Sequence, residues 1–226
     1  MVLAVHVFKD SLAPMKSLSA CRLYTFVDIA YLRGREPATV ARELCEGGAD
    51  LIQLRAKQSP LEEIRQMAEA ILPITTAADI GLVINDHLPL AQELGAELCH
   101  LGQEDFFDAG HIHISQLPTS NPQTQIGLST HSSEQARRAV AAGAHYVAIG
   151  PVYATGTKPG ARPVGLGYVR WAAANVKVPW FAIGGIDLKN LGAVLAAGAQ
   201  RICVVSAILN ADDIAAATRE FKRRVS

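Results

Sequence analysis

Short apolar runs alternate with amphipathic stretches along most of this chain. Eight of the runs are nearly continuous in apolar residues, which is the pattern of parallel strands covered on both faces. They predict strands at residues 23–28, 50–54, 81–85, 97–101, 125–129, 145–150, 179–184 and 201–205. Eight strands separated by helical stretches favour an α/β fold, a single closed (β/α)8 TIM barrel, over an open doubly wound sheet.

A small repeat supports the barrel. Gly-Ala pairs at 48–49, 95–96, 143–144 and 198–199 each stand between a helical stretch and the next strand. Glycine often ends a helix in the left-handed conformation, where a Cβ atom is unfavourable. Gly-Ala is common in α/β proteins, but the regular interval between these pairs adds weight to the prediction.

Three segments do not follow the alternation of strand and helix patterns. Residues 1–22 match no periodic pattern and are interpreted as an N-terminal extension before a catalytic barrel of residues 23–226. Residues 115–124 are polar and proline-rich, which is typical of a surface loop. Residues 151–166 contain prolines, glycines, threonines and a lysine. Long loops in compact domains are usually either functional or disordered, and the threonines and the lysine in this one favour an active-site flap.

Composition narrows the classes of partner. The 226 residues are the size of one such barrel. The 21 basic residues balance 21 acidic ones, so net charge gives no reason to expect nucleic acid or a membrane as a partner. The first residues lack the basic start of a signal peptide, and no apolar run is long enough to span a bilayer. We therefore expect a cytoplasmic protein that acts on small molecules.

The four cysteines and the oligomeric state carry less information. Cys21, Cys45, Cys99 and Cys203 form no C-x-x-C pair, so buried free thiols are expected in place of a zinc or redox site. The sequence does not determine the oligomeric state. We expect a homodimer, although no motif in the sequence indicates one.

Polar side chains cluster where the second predicted strand ends. Gln53, Arg55 and Lys57 alternate there, so their side chains point the same way. An arginine fork and a lysine point charge at a barrel mouth suit a diphosphate group. An ion-pair network at the strand end is the alternative.

Two carboxylates follow the next two strands. Asn85 and Asp86 close the third strand, and Asp105 follows the fourth. Neighbouring strand ends bring Asp86 and Asp105 together, and paired carboxylates beside a diphosphate suit Mg²⁺. The alternative is that Asn-Asp merely caps the following helix.

The remaining strand ends are also polar or glycine-rich. Ser129, Thr130 and His131 end the fifth strand, where a hydroxyl group could reach a phosphate or a ring nitrogen of a ligand. For His131 the alternative is favoured, namely a packed histidine beside a helix capped by Ser133. Gly184-Gly185 and Val205-Ser206 end the last two strands. Barrels frequently bind phosphate there through main-chain N–H groups.

Taken together and in this order, the clusters resemble those of thiamine-phosphate synthases. The resemblance covers about 200 residues, from Leu23 to near the C-terminus. The matching stretches are QLRAK (53–57), IND (84–86), HLGQED (100–105), GLSTHS (127–132), GPVYATGTK (150–158), AIGGI (182–186) and VVSAI (204–208).

The resemblance implies a Mg²⁺-dependent transferase of thiamine biosynthesis. Such enzymes condense 4-amino-2-methyl-5-hydroxymethylpyrimidine diphosphate with 4-methyl-5-(2-phosphooxyethyl)thiazole to give thiamine phosphate and diphosphate. The path it implies is largely dissociative, through a cation stabilised by the pyrimidine ring. No acid, base or covalent nucleophile is then required, which agrees with the absence of a convincing triad in the sequence.

The resemblance also implies roles for individual residues. The pyrimidine diphosphate would be bound by Gln53, Leu54, Arg55, Ala56, Lys57, Asn85, Ser129 and Lys158. The thiazole phosphate would be bound by Thr155, Gly156, Thr157, Gly185, Val205 and Ser206, and Mg²⁺ by Asp86 and Asp105. Lys158, Arg55 and Lys57 would be catalytic, because they stabilise charge on the leaving diphosphate.

The chain departs from the family pattern at four places. His87 stands where arginine is expected, and Gly156 where histidine is frequent. The 115–124 loop is longer than usual, and residues 1–22 have no counterpart. These departures leave loop geometry and affinity open, whereas the reaction itself is not affected.

Three other functions would explain part of the same pattern of residues. A thiazole tautomerase of the same superfamily would use a proton shuttle such as His131 and would not need the cations and paired aspartates. A sugar-phosphate isomerase would share the phosphate site after the last strands but not the aspartate pair. A non-catalytic sensor would bind thiamine phosphate and make none.

Overall fold

Eight parallel strands close into a barrel in which each strand pairs with its neighbours in chain order and the last pairs with the first. The computed structural model describes residues 16–118, 120–158 and 160–226. The strands are β1 (Leu23–Asp28), β2 (Leu51–Arg55), β3 (Gly81–Asn85), β4 (Leu98–Leu101), β5 (Gln125–Thr130), β6 (Tyr146–Ile149), β7 (Trp180–Ile183) and β8 (Ile202–Cys203). All eight predicted strands are confirmed, and the predicted bounds of β1 and β3 match.

Helices surround the barrel. They are α1 (Pro37–Glu46), α2 (Leu61–Ala77), α3 (Leu88–Leu94), α4 (Ser133–Ala141), α5 (Gly165–Asn175), α6 (Leu191–Ala196), α7 (Ser206–Leu209) and α8 (Ile214–Val225). The N-cap of α4 is Ser132, whose side chain accepts a hydrogen bond from the main-chain N–H of Gln135. The expected cap, Ser133, is instead the first helical residue.

The connection from β4 to β5 differs from the others. Its described residues form a π-helical turn (Glu104–Asp108) and a 3₁₀ turn (Ile114–Gln116), with no α-helix. Phe106 and Phe107 are buried there and take the place of a helical apolar face. Beyond the 3₁₀ turn, Ser120 donates hydrogen bonds to the side chain of Gln92, which anchors the predicted surface loop against α3.

The Gly-Ala repeat has the predicted geometry. Gly48, Gly95, Gly143 and Gly198 have φ angles of 84°, 74°, 86° and 101°. Each glycine therefore provides the left-handed residue that turns the chain from a helix toward the next strand.

Aromatic rings fill the barrel interior. Tyr24 and Tyr146 each meet Phe181 edge to face, with ring centroids 5.3 and 5.8 Å apart. Gly127 on β5 lies against Tyr146, and a Cβ atom at this glycine would overlap the ring. The glycine therefore makes room for the tyrosine, and the packed rings form a floor below the carboxyl-terminal mouth.

The chain just before β1 is attached to the amino-terminal end of the barrel. Leu18 and Cys21 are buried there. The carboxylate of Asp50 accepts hydrogen bonds from the main-chain N–H groups of Arg22 and Leu23 and pairs with Lys222 of α8. Residues 1–15 of the predicted extension lie outside the described residues.

The structure also bears on the cysteines and on membrane-spanning helices. All four cysteines are free; three are buried as expected, while Cys45 is partly exposed. Within the described ranges, no helix combines the length and apolar character needed to cross a membrane.

Candidate active site

A cavity of about 320 Å³ opens at the carboxyl-terminal mouth of the barrel, and side chains from every strand line it. The predicted site residues on its wall are Gln53, Arg55, Lys57, Asn85, Asp86, Ser129, Thr155, Thr157, Lys158, Gly185, Val205 and Ser206. Residues separated by up to 153 positions in the chain, from Gln53 to Ser206, therefore share one site, because parallel strands end at the same edge of the barrel.

The other four predicted residues do not line the cavity. Leu54 and Ala56 are buried, because they alternate with the cavity-facing residues of β2. Only their main-chain atoms are in a position to contact a ligand. Gly156 and Asp105 belong to the loops that border the cavity.

The cations at and just after the end of β2 are held by carboxylates. Arg55 Nη1 lies 2.9 Å from Oδ2 of Asp28, which is fully buried at the end of β1. Arg55 Nη2 donates to the main-chain oxygen of Thr157 in the flap at 3.5 Å. Lys57 Nζ lies 3.1 Å from Asp86 Oδ2. The ion-pair interpretation of this strand end is therefore correct in part, and these pairs orient both cations at the mouth.

The two predicted metal ligands lie side by side. Burial raises the pKa of Asp105, and the negative charge of Asp86 raises it further. Asp86 has a φ angle of 64°, and its carboxylate accepts a hydrogen bond from the Asn85 side chain. Among the described residues, no group of three or more His, Cys, Asp or Glu side chains is arranged for a metal. Two adjacent carboxylates fit Mg²⁺, which takes one or two protein carboxylates and completes its shell with phosphate and water.

The alternative in which Asn85 and Asp86 cap the next helix is wrong. The N-cap of α3 is His87, and its side chain makes no capping hydrogen bond. The Asn85 and Asp86 side chains line the cavity and bond to each other.

The flap lies across the mouth. The Tyr31 hydroxyl is 3.2 Å from Thr157 Oγ1, and the Thr155 hydroxyl accepts the N–H of Thr157. Lys158 Nζ is 3.6 Å from Glu104 Oε1 on the opposite side. These contacts connect the flap to the loops after β1 and β4.

Two glycines after β7 allow the flap to approach. Gly184 and Gly185 have φ angles of 105° and 62°. A Cβ atom at Gly184 would overlap Pro151, and one at Gly185 would overlap the main-chain oxygen of Ala154. Glycine is therefore required by both the backbone angles and the close contact with the base of the flap.

His131 is held against the main chain. Its Nδ1 lies 2.6 Å from the carbonyl oxygen of Gly150, and its main-chain N–H donates to the Gln135 side chain. A carbonyl oxygen only accepts, so Nδ1 carries the hydrogen. This is the packed arrangement that was favoured for His131, although the ring also borders the cavity.

Sequence reasoning assigned no role to Asp28, Tyr31, His100 or Glu104. His100 lines the cavity floor, and burial lowers its pKa to about 4. Asp28 and His100 could have been flagged, since each is a polar residue in or at the end of an apolar strand. Tyr31 ends a short 3₁₀ turn after β1 and Glu104 begins the π-helical turn after β4, and neither turn has a hydrophobic period from which the direction of its side chains could be predicted.

Comparison with known proteins gives a consistent result. The family model for thiamine monophosphate synthase matches residues 23–208. A thiamine-phosphate synthase of Thermus thermophilus is 43% identical over 79% of this chain and 84% of its own length. A thiamine-phosphate synthase of Gloeobacter violaceus is 44% identical over 79% of this chain. The aligned part makes up only 51% of that relative, so this chain spans about half of its length. The solved thiamine phosphate pyrophosphorylase from Pyrococcus furiosus superposes with a TM-score of 0.80 at 32% identity, covering 91% of this chain and 95% of that one.

The fold and the cavity define a (β/α)8 barrel protein with a cavity at its carboxyl-terminal mouth that is lined by both basic and acidic side chains. Within that class, the chain belongs to the thiamine monophosphate synthase family.

Proposed function

We propose that this chain condenses 4-amino-2-methyl-5-hydroxymethylpyrimidine diphosphate with 4-methyl-5-(2-phosphooxyethyl)thiazole, producing thiamine phosphate and diphosphate. The proposal depends mainly on one observation, namely that all the candidate groups lie around the same cavity at the mouth of the barrel. The mouth gathers three cations, an acidic pair and a flap rich in hydroxyl groups around a cavity of about 320 Å³. Membership of a family of transferases supports the same reaction.

The cations bind and stabilise the leaving diphosphate. Arg55 presents its guanidinium while Asp28 holds it in place, and Lys57 lies beside it at the same strand end. Lys158 reaches the mouth from the flap. Negative charge grows on the diphosphate as its bond to the pyrimidine carbon breaks, so preorganised cations favour the transition state.

Asp86 and Asp105 are the residues that would hold Mg²⁺. When bound, the ion neutralises diphosphate oxygens and so assists departure of the leaving group. Burial raises the pKa of Asp105 and repulsion from Asp86 raises it further, so a divalent cation bound by the two carboxylates would relieve that repulsion. Lys57 lies close enough to Asp86 to contact the same diphosphate oxygens.

The flap and the last strand ends bind the second substrate. Thr155, Gly156 and Thr157 offer hydroxyl and main-chain N–H groups on one side. Gly185, Val205 and Ser206 offer main-chain N–H groups on the other. Binding of the thiazole phosphate here holds its ring nitrogen near the pyrimidine carbon, which makes the bond-forming step effectively unimolecular. Neither step needs a side chain to act as acid or base.

The direct test is a coupling assay. Purified protein, MgCl₂ and both substrates are mixed, and thiamine phosphate is measured as its fluorescent thiochrome. We expect product with Mg²⁺ and none with excess chelator. Asp86→Ala should lower turnover by roughly a hundredfold or more, the cost of losing a strong electrostatic stabiliser. Asp108→Asn removes an exposed carboxylate outside the cavity and is the matched control, with normal turnover expected.

Each other outcome favours a different function. Wild-type protein that isomerises a thiazole carboxylate phosphate and forms no product would be a tautomerase, with His131 as the residue to mutate. Protein that binds thiamine phosphate in calorimetry but forms none would be a sensor. Turnover that persists in chelator with Asp86→Ala unaffected would refute the proposed metal site.

Two expectations from the sequence remain predictions, namely a cytoplasmic location and a homodimer. Light scattering after size exclusion measures the second directly, with twice the chain mass of 24.1 kDa expected.

A further inference from the structure

A row of hydrogen-bonded polar side chains crosses the barrel beneath the cavity. Gln53 Nε2 donates to the Tyr24 hydroxyl at 2.8 Å, and this hydroxyl lies 3.3 Å from that of Tyr146. The Tyr146 hydroxyl lies 3.1 Å from Nδ1 of His100, whose Nε2 lies 2.9 Å from Ser129 Oγ. The row therefore joins two residues of the cavity wall, Gln53 and Ser129, through three residues without a role in the proposed reaction.

Packing fixes the position of the row. Tyr24, Tyr146 and His100 are all buried, and Phe181 contacts both tyrosine rings edge to face. Gly127 leaves just enough room for the ring of Tyr146. The rings cannot turn without disturbing the core, so each hydroxyl remains at its place in the row.

One order of donors and acceptors gives every hydrogen in the row a partner. The His100 ring is buried with a hydroxyl group at each ring nitrogen, and a neutral imidazole has one donor and one acceptor nitrogen. Gln53 donates to Tyr24, and the hydrogen of Tyr24 is then directed to Tyr146. Tyr146 in turn donates to Nδ1 of His100, and Nε2–H of His100 donates to Ser129.

This order determines what the two ends offer to a ligand. Ser129 accepts from His100, so its own hydroxyl hydrogen is available to an acceptor atom in the cavity. Gln53 uses an amide hydrogen within the row, so its amide group is held in one orientation with the carbonyl oxygen free to accept. One end of the row thus presents a hydrogen-bond donor and the other an acceptor.

We propose that Tyr24, Tyr146 and His100 are positioning residues, which act through Gln53 and Ser129 to fix the orientation in which a heteroaromatic ring enters the cavity. An aminopyrimidine has both donor and acceptor groups on its edge, so a site with fixed polarity accepts only one orientation of the ring. The correct orientation directs the reacting carbon and its diphosphate toward the cations. This inference rests on the proposed function, because the pyrimidine is the substrate it orients.

The first test breaks the middle of the row. Tyr146→Phe keeps the ring and removes the hydroxyl, which leaves Nδ1 of His100 without its donor. We expect kcat/KM for the pyrimidine diphosphate to fall roughly tenfold, the effect of one hydrogen bond, while KM for the thiazole phosphate stays within twofold. Tyr168→Phe is the matched control. It also removes a buried hydroxyl, one bonded to Thr130 and Ser132 outside the row, and should leave both constants unchanged.

The second test asks whether His100 acts through Ser129. Ser129→Ala and His100→Leu should each lower kcat/KM for the pyrimidine diphosphate, and the double variant should be no worse than the poorer single one. His100→Gln places an amide N–H near the position of Nε2 and should recover part of the lost activity. A purely structural histidine would give additive losses, with no difference between glutamine and leucine at equal stability.

The outcomes separate this inference from the function on which it rests. Wild-type protein without coupling activity refutes the proposed function. Active wild-type protein with normal kinetics in Tyr146→Phe, or with additive effects of His100→Leu and Ser129→Ala, refutes the inference and leaves the function intact. Selective and non-additive losses support both.

Discussion

Lys158 is the cation of the site that the fold holds least firmly. Its side chain is 55% exposed, and its partner Glu104 is 62% exposed. Exposed ion pairs contribute little to stability, typically below about 1 kcal/mol. Arg55, in contrast, bonds to a fully buried aspartate. The structure thus combines a cation held by a buried carboxylate with one held only by an exposed ion pair, and in the proposed reaction the second is the one that moves onto the leaving diphosphate.

Replacing Lys158 should affect the reaction and not the fold. We expect Lys158→Ala to lower kcat by roughly a hundredfold or more, since it removes charge stabilisation in the transition state. The free energy of unfolding should change by less than about 0.5 kcal/mol, as for most surface substitutions. Lys177→Ala is the matched control, an exposed lysine at the opposite end of the barrel. Near-normal turnover of the Lys158 variant would remove the role assigned to this residue.

At the level of residues, the sequence predicts a side chain's place when the signal is local. Alternation along β2 was sufficient to put Gln53, Arg55 and Lys57 on one wall of the cavity. The contacts that the sequence did not reveal join distant parts of the chain. Tyr31 and Thr157 are in contact although they are 126 positions apart in the sequence, and His100 and Tyr146 are 46 positions apart. No local pattern encodes such a contact, because it depends on barrel closure.

At the level of elements, the strands were more predictable than their connections. Continuous apolar runs identify buried parallel strands wherever they occur. The described part of the β4–β5 connection contains no α-helix, because its apolar residues, such as Phe106 and Phe107, are adjacent and do not follow a helical period. Short irregular turns bury these rings, and the sequence has no periodic signal for that arrangement.

One carboxylate joins several elements at the amino-terminal end of the barrel. Asp50, just before β2, is only 3% exposed. It accepts the N–H groups of Arg22 and Leu23 at 2.8 and 3.0 Å and pairs with Lys222. Asp50 therefore connects the start of β1 and helix α8 to β2. The first and last parts of the described chain meet at this carboxylate.

Removing this carboxylate should destabilise the whole barrel. We expect Asp50→Ala to lower the free energy of unfolding by about 3 kcal/mol, because it leaves two N–H groups and a lysine without their partner. Urea unfolding measures this change. Asp212→Ala, an exposed carboxylate before α8, is the control and should change stability by less than about 0.5 kcal/mol. KM should be unaltered in both variants, since Asp50 lies at the end opposite the cavity. An equal effect of the two substitutions would contradict the role of Asp50.

In the whole molecule, stability and chemistry are located at opposite ends of the barrel. The amino-terminal end is closed by Asp50 and its partners, whereas the mouth carries adjacent carboxylates and a buried neutral histidine. Adjacent like charges and buried ionisable groups are unfavourable for folding, and they are characteristic of functional sites. The apolar core and the amino-terminal contacts must offset this cost.

The buried histidine makes the stability of the whole molecule depend on pH. Burial lowers the pKa of His100 from 6.5 to about 4. Between these values the unfolded chain binds a proton that the folded chain does not, so the free energy of unfolding decreases as the pH falls. A shift of this size corresponds to about 3 kcal/mol, fully present above pH 6.5 and lost by about pH 4. Burial also raises the pKa of Glu97, which changes stability in the opposite direction, so the effect of His100 must be isolated by a variant.

The measurement is urea unfolding of the wild-type protein and His100→Gln in chelator between pH 4 and pH 7.5. Because glutamine does not titrate, the stability of the wild type relative to the variant should fall by about 3 kcal/mol as the pH decreases from 6.5 to 4. Above pH 6.5 the two curves should run parallel, since the histidine is neutral in both the folded and the unfolded chain. Curves that stay parallel down to pH 4 would show that the pKa of His100 is the same in the folded and the unfolded chain, which would contradict the effect assigned to its burial.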